Sequence, residues 1–236
     1  MAREPLIHIA ESKEDAAETL SAWVAQAAQE DVRDHRQSSW ALSGGSTPVL
    51  LYHRLSLRSD IPWSEVCLYV VDERDVVATD PLSNAHMIEE ALIDRLPDAP
   101  EWHPWLTVAN PSESLARYRQ QLAPLPRSQT GFPQLDLALM GMGDDGHTAS
   151  VFPGSPQETV QDWVAFGPGP NAPRLTLTLP LLAQARRIAF LVTGLEKSAR
   201  VAECIRSDAN LPAAWLSRHG HNVHWFLDRE SARDLG

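Results

Sequence analysis

The chain has 236 residues, enough for one or two domains and for a core that needs no covalent staples. Its 31 acidic against 20 basic side chains leave a net charge of -11, which argues against a nucleic-acid partner, because neutralising phosphates needs a concentrated basic face. With 43% hydrophobic and 22% charged residues it is neither disordered nor fibrous, and its two distant cysteines, Cys67 and Cys204, exclude a disulfide scaffold. A strand is predicted over Leu6–Ala10 and a helix over 13–30. That apolar stretch is too short for a secretory signal, and acidic residues follow it at once. No run approaches the roughly 18 apolar residues of a membrane span. A soluble cytoplasmic protein with reduced thiols is the expectation.

A second strand over 40–42 runs into Ser43-Gly44-Gly45-Ser46-Thr47-Pro48, ahead of a helix over 49–57. Two glycines let a ligand approach the backbone, and Thr47 is placed to cap a helix whose first residue is Pro48. A glycine turn opening onto a helix N-terminus suits an anion such as phosphate, although a tight, well-capped turn would use several of the same residues. The next strand, 66–71, is apolar on both faces and leads into Asp72-Glu73-Arg74-Asp75, read as a charged loop. Ser83-Asn84 then opens a helix over 84–96. A helix over 112–122 lies inside a stretch, 100–130, that reads as a small excursion from the main fold.

The strand over 135–140 ends in Gly141-Met142-Gly143-Asp144-Asp145-Gly146-His147-Thr148-Ala149-Ser150. This contains G-x-G-x-x-G, but Asp144 and Asp145 would repel a pyrophosphate and Pro153-Gly154 leaves little room for the required helix, so a dinucleotide site is rejected. What remains is an imidazole beside two carboxylates, an arrangement that suits a general base. An ordered Pro/Gly-rich loop, 167–173, precedes Arg174 at the head of a strand over 175–179. Strands over 188–192 and 223–227 flank Gly194-Leu195-Glu196-Lys197 and a helix over 196–206. Arg174 and Lys197 are either surface charges or, with the 43–47 loop, a phosphate clamp. His219, His221 and His224 lack a neighbouring cysteine and give only a weak metal signal. The eight tryptophans are scattered and read as packing rather than a base-stacking platform.

Alternation of buried strands with helices implies βαβ units. The fold expected is therefore one α/β domain over 1–236, a doubly wound, mostly parallel sheet with helices on both faces. In such sheets ligands bind beyond the carboxyl ends of the strands, where the unusual loops lie.

Ser-Gly-Gly-Ser-Thr-Pro at 43–48, Asp-Glu-Arg at 72–74 with Ser83-Asn84, the run Gly141 to Gly154, Arg-Leu-Thr-Leu-Thr-Leu-Pro at 174–180 and Gly-Leu-Glu-Lys at 194–197 together resemble the 6-phosphogluconolactonase family. The match runs in order along essentially the whole chain. The related glucosamine-6-phosphate deaminases are similar in the phosphate loop and the histidine turn. Their histidine, however, is followed by a segment ending Asn-Glu-Pro, whereas Thr148 to Pro153 carries no acid, and Arg74 stands where they usually have an aromatic. Val151 and Val77 stand where many lactonases have leucine and proline.

The resemblance implies hydrolysis of 6-phospho-D-glucono-1,5-lactone to 6-phospho-D-gluconate, the second step of the oxidative pentose phosphate pathway. It implies catalytic roles for His147, Asp145, Arg74 and Asp72, and substrate or phosphate binding by Gly44, Gly45, Ser46, Thr47, Asn84, Arg174 and Lys197. His147 would be the base and Asp145 its support. Arg74, assigned to the lactone end rather than to the phosphate, or backbone N–H groups of the loops, would stabilise the oxyanion. No metal and no cofactor are implied. The partner expected is a small sugar-phosphate lactone, with no nucleic acid and no membrane, for a monomer or weak homodimer. Two rivals stay open: a related isomerase or deaminase, disfavoured by the missing acid, and a sugar-phosphate sensor, disfavoured because Met1 to Leu6 leaves no room for a DNA-binding segment.

Overall fold

A computed structural model describes residues 4–236. Strand β1 (Leu6–Ala10) leads into α1 (Lys13–His35), whose N-cap Ser12 accepts a hydrogen bond from the backbone N–H of Asp15. α1 runs five residues beyond its expected end. The polar stretch that looked like a terminus carries Asp31, which is buried against Arg187 (2.7 Å) and accepts from Ser38 Oγ (2.8 Å). Next come β2 (Ser38–Leu42), α2 (Ser46–Ser56), β3 (Val66–Val70), β4 (Asp72–Arg74), α3 (Asn84–Ala91), β5 (Glu101–His103) and α4 (Pro111–Leu122). The second half holds β6 (Leu137–Met140), β7 (Val164–Gly167), β8 (Arg174–Leu177), α5 (Leu179–Leu182), β9 (Arg187–Val192), α6 (Ser198–Arg206), α7 (Pro212–His219) and β10 (Val223–Asp228).

Seven strands form a wholly parallel sheet in the order β1-β10-β9-β6-β2-β3-β5. Every residue of β2, β3, β6 and β10 is buried, which is why β3 and β6 are apolar throughout rather than alternating, while β2 and β10 carry polar residues only at Ser38, Ser39, His224 and Asp228. From β2 the chain steps outward to β3 and β5, then returns to the other side of β2 and proceeds through β6, β9 and β10. Right-handed crossovers therefore put α1, α2 and α3 on one face and the later helices on the other. α1 packs on α2 and α2 on α3, while α7 packs on α5 and α6. In the core Phe190 stacks on Trp225 with centroids 4.3 Å apart. The direction of winding reverses between β2 and β6, so the crevice for a ligand lies at their carboxyl ends.

Three expectations are corrected. The strand over 175–179 is not part of the parallel sheet: β8 is the centre of a separate antiparallel sheet, β4-β8-β7. Asp72-Glu73-Arg74 is accordingly a strand and not a loop. Its charged residues have little β preference of their own, and pairing with Thr176, Leu175 and Arg174 fixes them. The excursion expected over 100–130 is absent, since β5 joins the main sheet with Glu101 opposite Cys67. The departure from the parallel sheet is instead the three-stranded sheet. The elements β5, β7, α5 and α7 are three to eight residues long and carry no clear periodicity.

Candidate active site

A cleft of about 230 Å³ opens at the switch point. Its walls are the loop after β2 (Ser43 to Pro48), Asp72 and Arg74 of β4, Asn84 at the start of α3, the loop after β6 with His147, and Thr193 and Lys197 beyond β9. Ten of the eleven residues singled out from sequence thus converge, or bond directly to one that does. The exception is Arg174.

The β2 loop is held from below. Ser43 Oγ donates to the carbonyl of Leu139 (2.7 Å), and Tyr52 OH donates to the carbonyl of Ser43 (2.5 Å). A Cβ on Gly44 would lie 1.8 Å from Asn84 Oδ1, so only glycine lets α3 close on this loop. Helix α2 begins at Ser46, with Gly45 as its N-cap and no side-chain cap. Thr47 is therefore not the cap expected from sequence, and Pro48 occupies the third helical position. The reason is that Gly45, at φ 104, lets the helix start two residues earlier. The uncapped first turn presents its N–H groups and the positive end of the helix to the cleft.

Asp72 and Glu73 point to opposite tasks. Asp72 is buried and accepts from Ser150 Oγ at 2.5 Å, while its carbonyl accepts from Asn84 Nδ2 at 2.7 Å. Glu73 accepts from the backbone of Arg74, Asn84 and Ala85 and from Ser83 Oγ, all at 2.7–2.9 Å. Burial pushes the Glu73 carboxyl up, against these four donors. Its work is to tie the two ends of segment 74–84 together and anchor α3, so it is unavailable to a substrate. Ser83 caps α3 as expected, accepting from His86 N–H. Arg74 Nη1 donates to Asn84 Oδ1 (2.7 Å) and to the carbonyl of Leu82 (2.6 Å), which fixes the guanidinium at the rim.

The histidine turn is built around Gly143. Its N–H donates to the carbonyl of His147 (2.9 Å), and a Cβ there would come within 2.0 Å of His147 Nδ1. The imidazole can lie across this backbone only because no side chain intervenes. Asp145 Oδ1 lies 2.6 Å from His147 Nδ1 and accepts from the His147 backbone N–H at 3.0 Å. Partial burial disfavours the Asp145 charge, but the bonds from His147 outweigh it and hold the carboxyl below its usual range. An ionised carboxylate only accepts, so Nδ1 carries a proton, and in the neutral imidazole the lone pair is on Nε2. Phe152 packs against the ring at 4.6 Å.

Lys197 Nζ donates to the carbonyl of Met142 (3.1 Å) and pairs with Asp144. Arg174 does not line the cleft. It is buried directly opposite Arg74 across the β4–β8 ladder, donates Nη2 to the carbonyl of Pro170 (2.8 Å), and leaves Nε and Nη1 without partners. Burial and the neighbouring Arg74 charge lower its pKa. Sequence reasoning missed Ser150 and Thr193. The rule that ligands sit beyond strand carboxyl ends applies to Thr193, which directly follows β9; nothing local marked Ser150 as the partner of Asp72.

The three C-terminal histidines belong to no cluster of three or more ligand groups, since among the described residues only Cys67, Glu101 and His103 form one. Also among these residues, no helix is long and apolar enough to cross a membrane.

A doubly wound sheet with a glycine-lined helix N-terminus facing an Asp–His pair defines a class, and comparison with known proteins identifies it. The family described as glucosamine-6-phosphate isomerases/6-phosphogluconolactonase matches residues 11–225, and the chain belongs to that family. Within it the chain is similar to a 6-phosphogluconolactonase of Synechocystis, 38% identical over 212 residues covering 86% of this chain and 87% of the relative. It is also similar to the solved structure of 6-phosphogluconolactonase from Trypanosoma brucei, at 30% identity and a TM-score of 0.87 with both chains covered in full. A monomeric glucosamine-6-phosphate deaminase shares the fold, with a TM-score of 0.80 at 18% identity over 97% of this chain and 99% of that one. The lactonase resemblance read from the sequence is borne out.

Proposed function

We propose that the protein hydrolyses 6-phospho-D-glucono-1,5-lactone to 6-phospho-D-gluconate, as one catalytic domain acting in the cytoplasm on a freely diffusing small molecule. The observation that carries this reading is the Asp145–His147 pair facing the uncapped N-terminus of α2 across one cleft. A lactone is an activated ester, so a positioned base and a site for the oxyanion suffice. His147 Nε2 takes a proton from water as its oxygen attacks C1. The tetrahedral intermediate collapses with cleavage of the C1–ring oxygen bond, and the proton passes from His147 to that oxygen. Asp145 compensates the imidazolium formed in between.

Arg74 faces the lactone end and stabilises the oxyanion, with Asp72 and Asn84 fixing its position through the bonds described above. Gly44, Gly45, Ser46 and Thr47 receive the 6-phosphate at the helix N-terminus. Lys197 leaves Asp144 for the phosphate, and Arg174 adds charge from behind Arg74. Binding energy from this remote anion positions the reacting carbonyl. The deaminase reading is not favoured: no carboxylate lies between His147 and Glu158, and Glu73 is fully engaged by α3. In this reading catalysis calls on no metal or nicotinamide, the protein contacts neither nucleic acid nor membrane, and it works as a monomer or weak homodimer.

The deciding experiment is a coupled assay with freshly prepared lactone, scored against spontaneous hydrolysis, before and after exhaustive chelation. Turnover above background that survives chelation supports the proposal. Loss of activity restored stoichiometrically by zinc overturns the metal-free mechanism, and release of ammonia from glucosamine 6-phosphate overturns the reaction class.

A further inference from the structure

At the other end of β3 from the cleft, a second group of chemically active side chains comes together. Cys67 is the second residue of β3 and sits directly opposite Glu101, the first residue of edge strand β5. Residues two apart on a strand share a face, so His103 lies beside Glu101 and follows it across Tyr69. The result is a Cys, a Glu and a His whose ligand atoms all lie within 4.8 Å of one another. Cys67 Sγ is 3.1 Å from Glu101 Oε2, and His103 Nε2 is 3.0 Å from Glu101 Oε1.

The thiol donates to the carboxylate, but the imidazole is left without a partner. His103 Nε2 is sealed from solvent and makes no hydrogen bond of acceptable geometry, despite its closeness to the carboxylate. Its ring is held by stacking on Tyr69 at 4.5 Å, so it cannot readily turn away. Gln37 Nε2 donates to Cys67 Sγ from outside the cluster, as an orienting group does for a ligand.

We propose that Cys67, Glu101 and His103 form a binding site for a divalent zinc-like cation, separate from the catalytic cleft and fastening edge strand β5 to β3. The donor set decides the metal: thiolate with imidazole and carboxylate suits zinc, whereas magnesium and calcium take oxygen ligands. Three protein ligands leave a fourth tetrahedral position for water, which the exposed Glu101 admits. Binding displaces the thiol proton, and one metal–sulfur, one metal–nitrogen and one metal–oxygen bond replace the contacts among the three side chains. β5 is only three residues long and, among the described residues, pairs only with β3, so a cross-strand clip would reinforce a ladder of three residue pairs.

The test uses the full chain, stripped with chelator and titrated with Co²⁺, which reports thiolate ligation by a charge-transfer band and tetrahedral geometry by its d–d absorption. One equivalent should bind with both signatures and be displaced by Zn²⁺. Cys67→Ser should abolish the charge-transfer band. Glu101→Gln and His103→Gln, the first at an exposed position that folding tolerates, should each weaken binding by about 10-fold or more. Asp145→Asn, in the cleft, should leave binding unchanged, and Cys67→Ser should leave lactone turnover unchanged. The proposal is overturned if no thiolate band appears, if the band survives Cys67→Ser and so belongs to Cys204, or if both Gln variants bind at full affinity.

Discussion

Two histidines with short contacts to a neighbouring ring or carboxylate sit in opposite environments, and the contrast separates a chemical role from a structural one. His147 faces Asp145 at 2.6 Å, at a cleft, in a loop whose backbone is bare beneath the ring. His224 faces His8 at 3.0 Å between β10 and β1, with Phe226 and Trp23 around it and Asn222 on its other nitrogen. Burial, His8 and Arg187 push His224 down to about 4, and burial also lowers His8. One imidazole is thus set beside a charge that balances a proton, and the other beside a group that opposes one. Histidine count or spacing cannot tell these apart; the neighbour does.

The comparison breaks most sharply at His147. His147→Ala should lower kcat by about 10²-fold or more, at least ~2.7 kcal/mol of transition-state stabilisation, with KM changed little. Near-native kcat in a folded variant would place His147 with His224 as a packing residue. The second expectation concerns acid. Because the folded-state pKa of His224 lies below its unfolded value, the unfolded chain binds the extra proton first. The contribution of His224 to stability therefore falls as pH drops from about 6.5 to about 4, and this contribution levels off below. The loss is on the order of 3 kcal/mol. Urea unfolding across this window should show a shallower slope for His224→Phe than for the parent chain, and equal slopes would remove the pair from the account.

Smaller effects sharpen the picture at the phosphate end. Lys197→Ala should raise KM for the phosphorylated lactone by about 10-fold, near 1.4 kcal/mol, and reduce the preference over unphosphorylated gluconolactone, and Arg174→Ala, outside the cleft, should do so by less. An unchanged ratio of kcat/KM for the two substrates would make them structural charges. Least of all, Thr47→Ala should change thermal stability by less than about 0.5 kcal/mol, because Thr47 caps nothing, whereas a true N-cap residue costs about 1. A larger loss would restore the capping role that the sequence suggested.

Legibility in the sequence followed the physics that acts locally. The buried central strands could be read because apolar runs such as 66–71 require no partner to explain them. The loops after β2 and β6 were readable because glycines beside hydroxyls, and a histidine beside carboxylates, already carry their chemistry. β4 was not readable, since Asp72, Glu73 and Arg74 become a strand only by pairing with residues a hundred positions away. Arg174 was expected beside Lys197 in a phosphate clamp, and no short-range pattern reveals that it lies behind Arg74 rather than in the cleft. Cys67 looked like an ordinary buried thiol until β5, a strand with no signal of its own, brought Glu101 and His103 to it.

The four hydrogen bonds on Glu73 also mark out a place to build. They close the neck of segment 74–84, and Thr107 Oγ1 further fastens its rising arm through the carbonyl of Val76 at 2.6 Å. The tip, Val77-Ala78-Thr79, is exposed, and the side chains that hold the neck lie below it. A loop secured at its base transmits little from its tip, so residues grafted between Ala78 and Thr79 (an epitope, a dye-accepting cysteine, a tether to a surface) should leave the geometry of Asp72, Arg74 and Asn84 undisturbed. The same carboxylate that anchors a helix thereby gives the molecule an insulated handle within one short loop of its cleft.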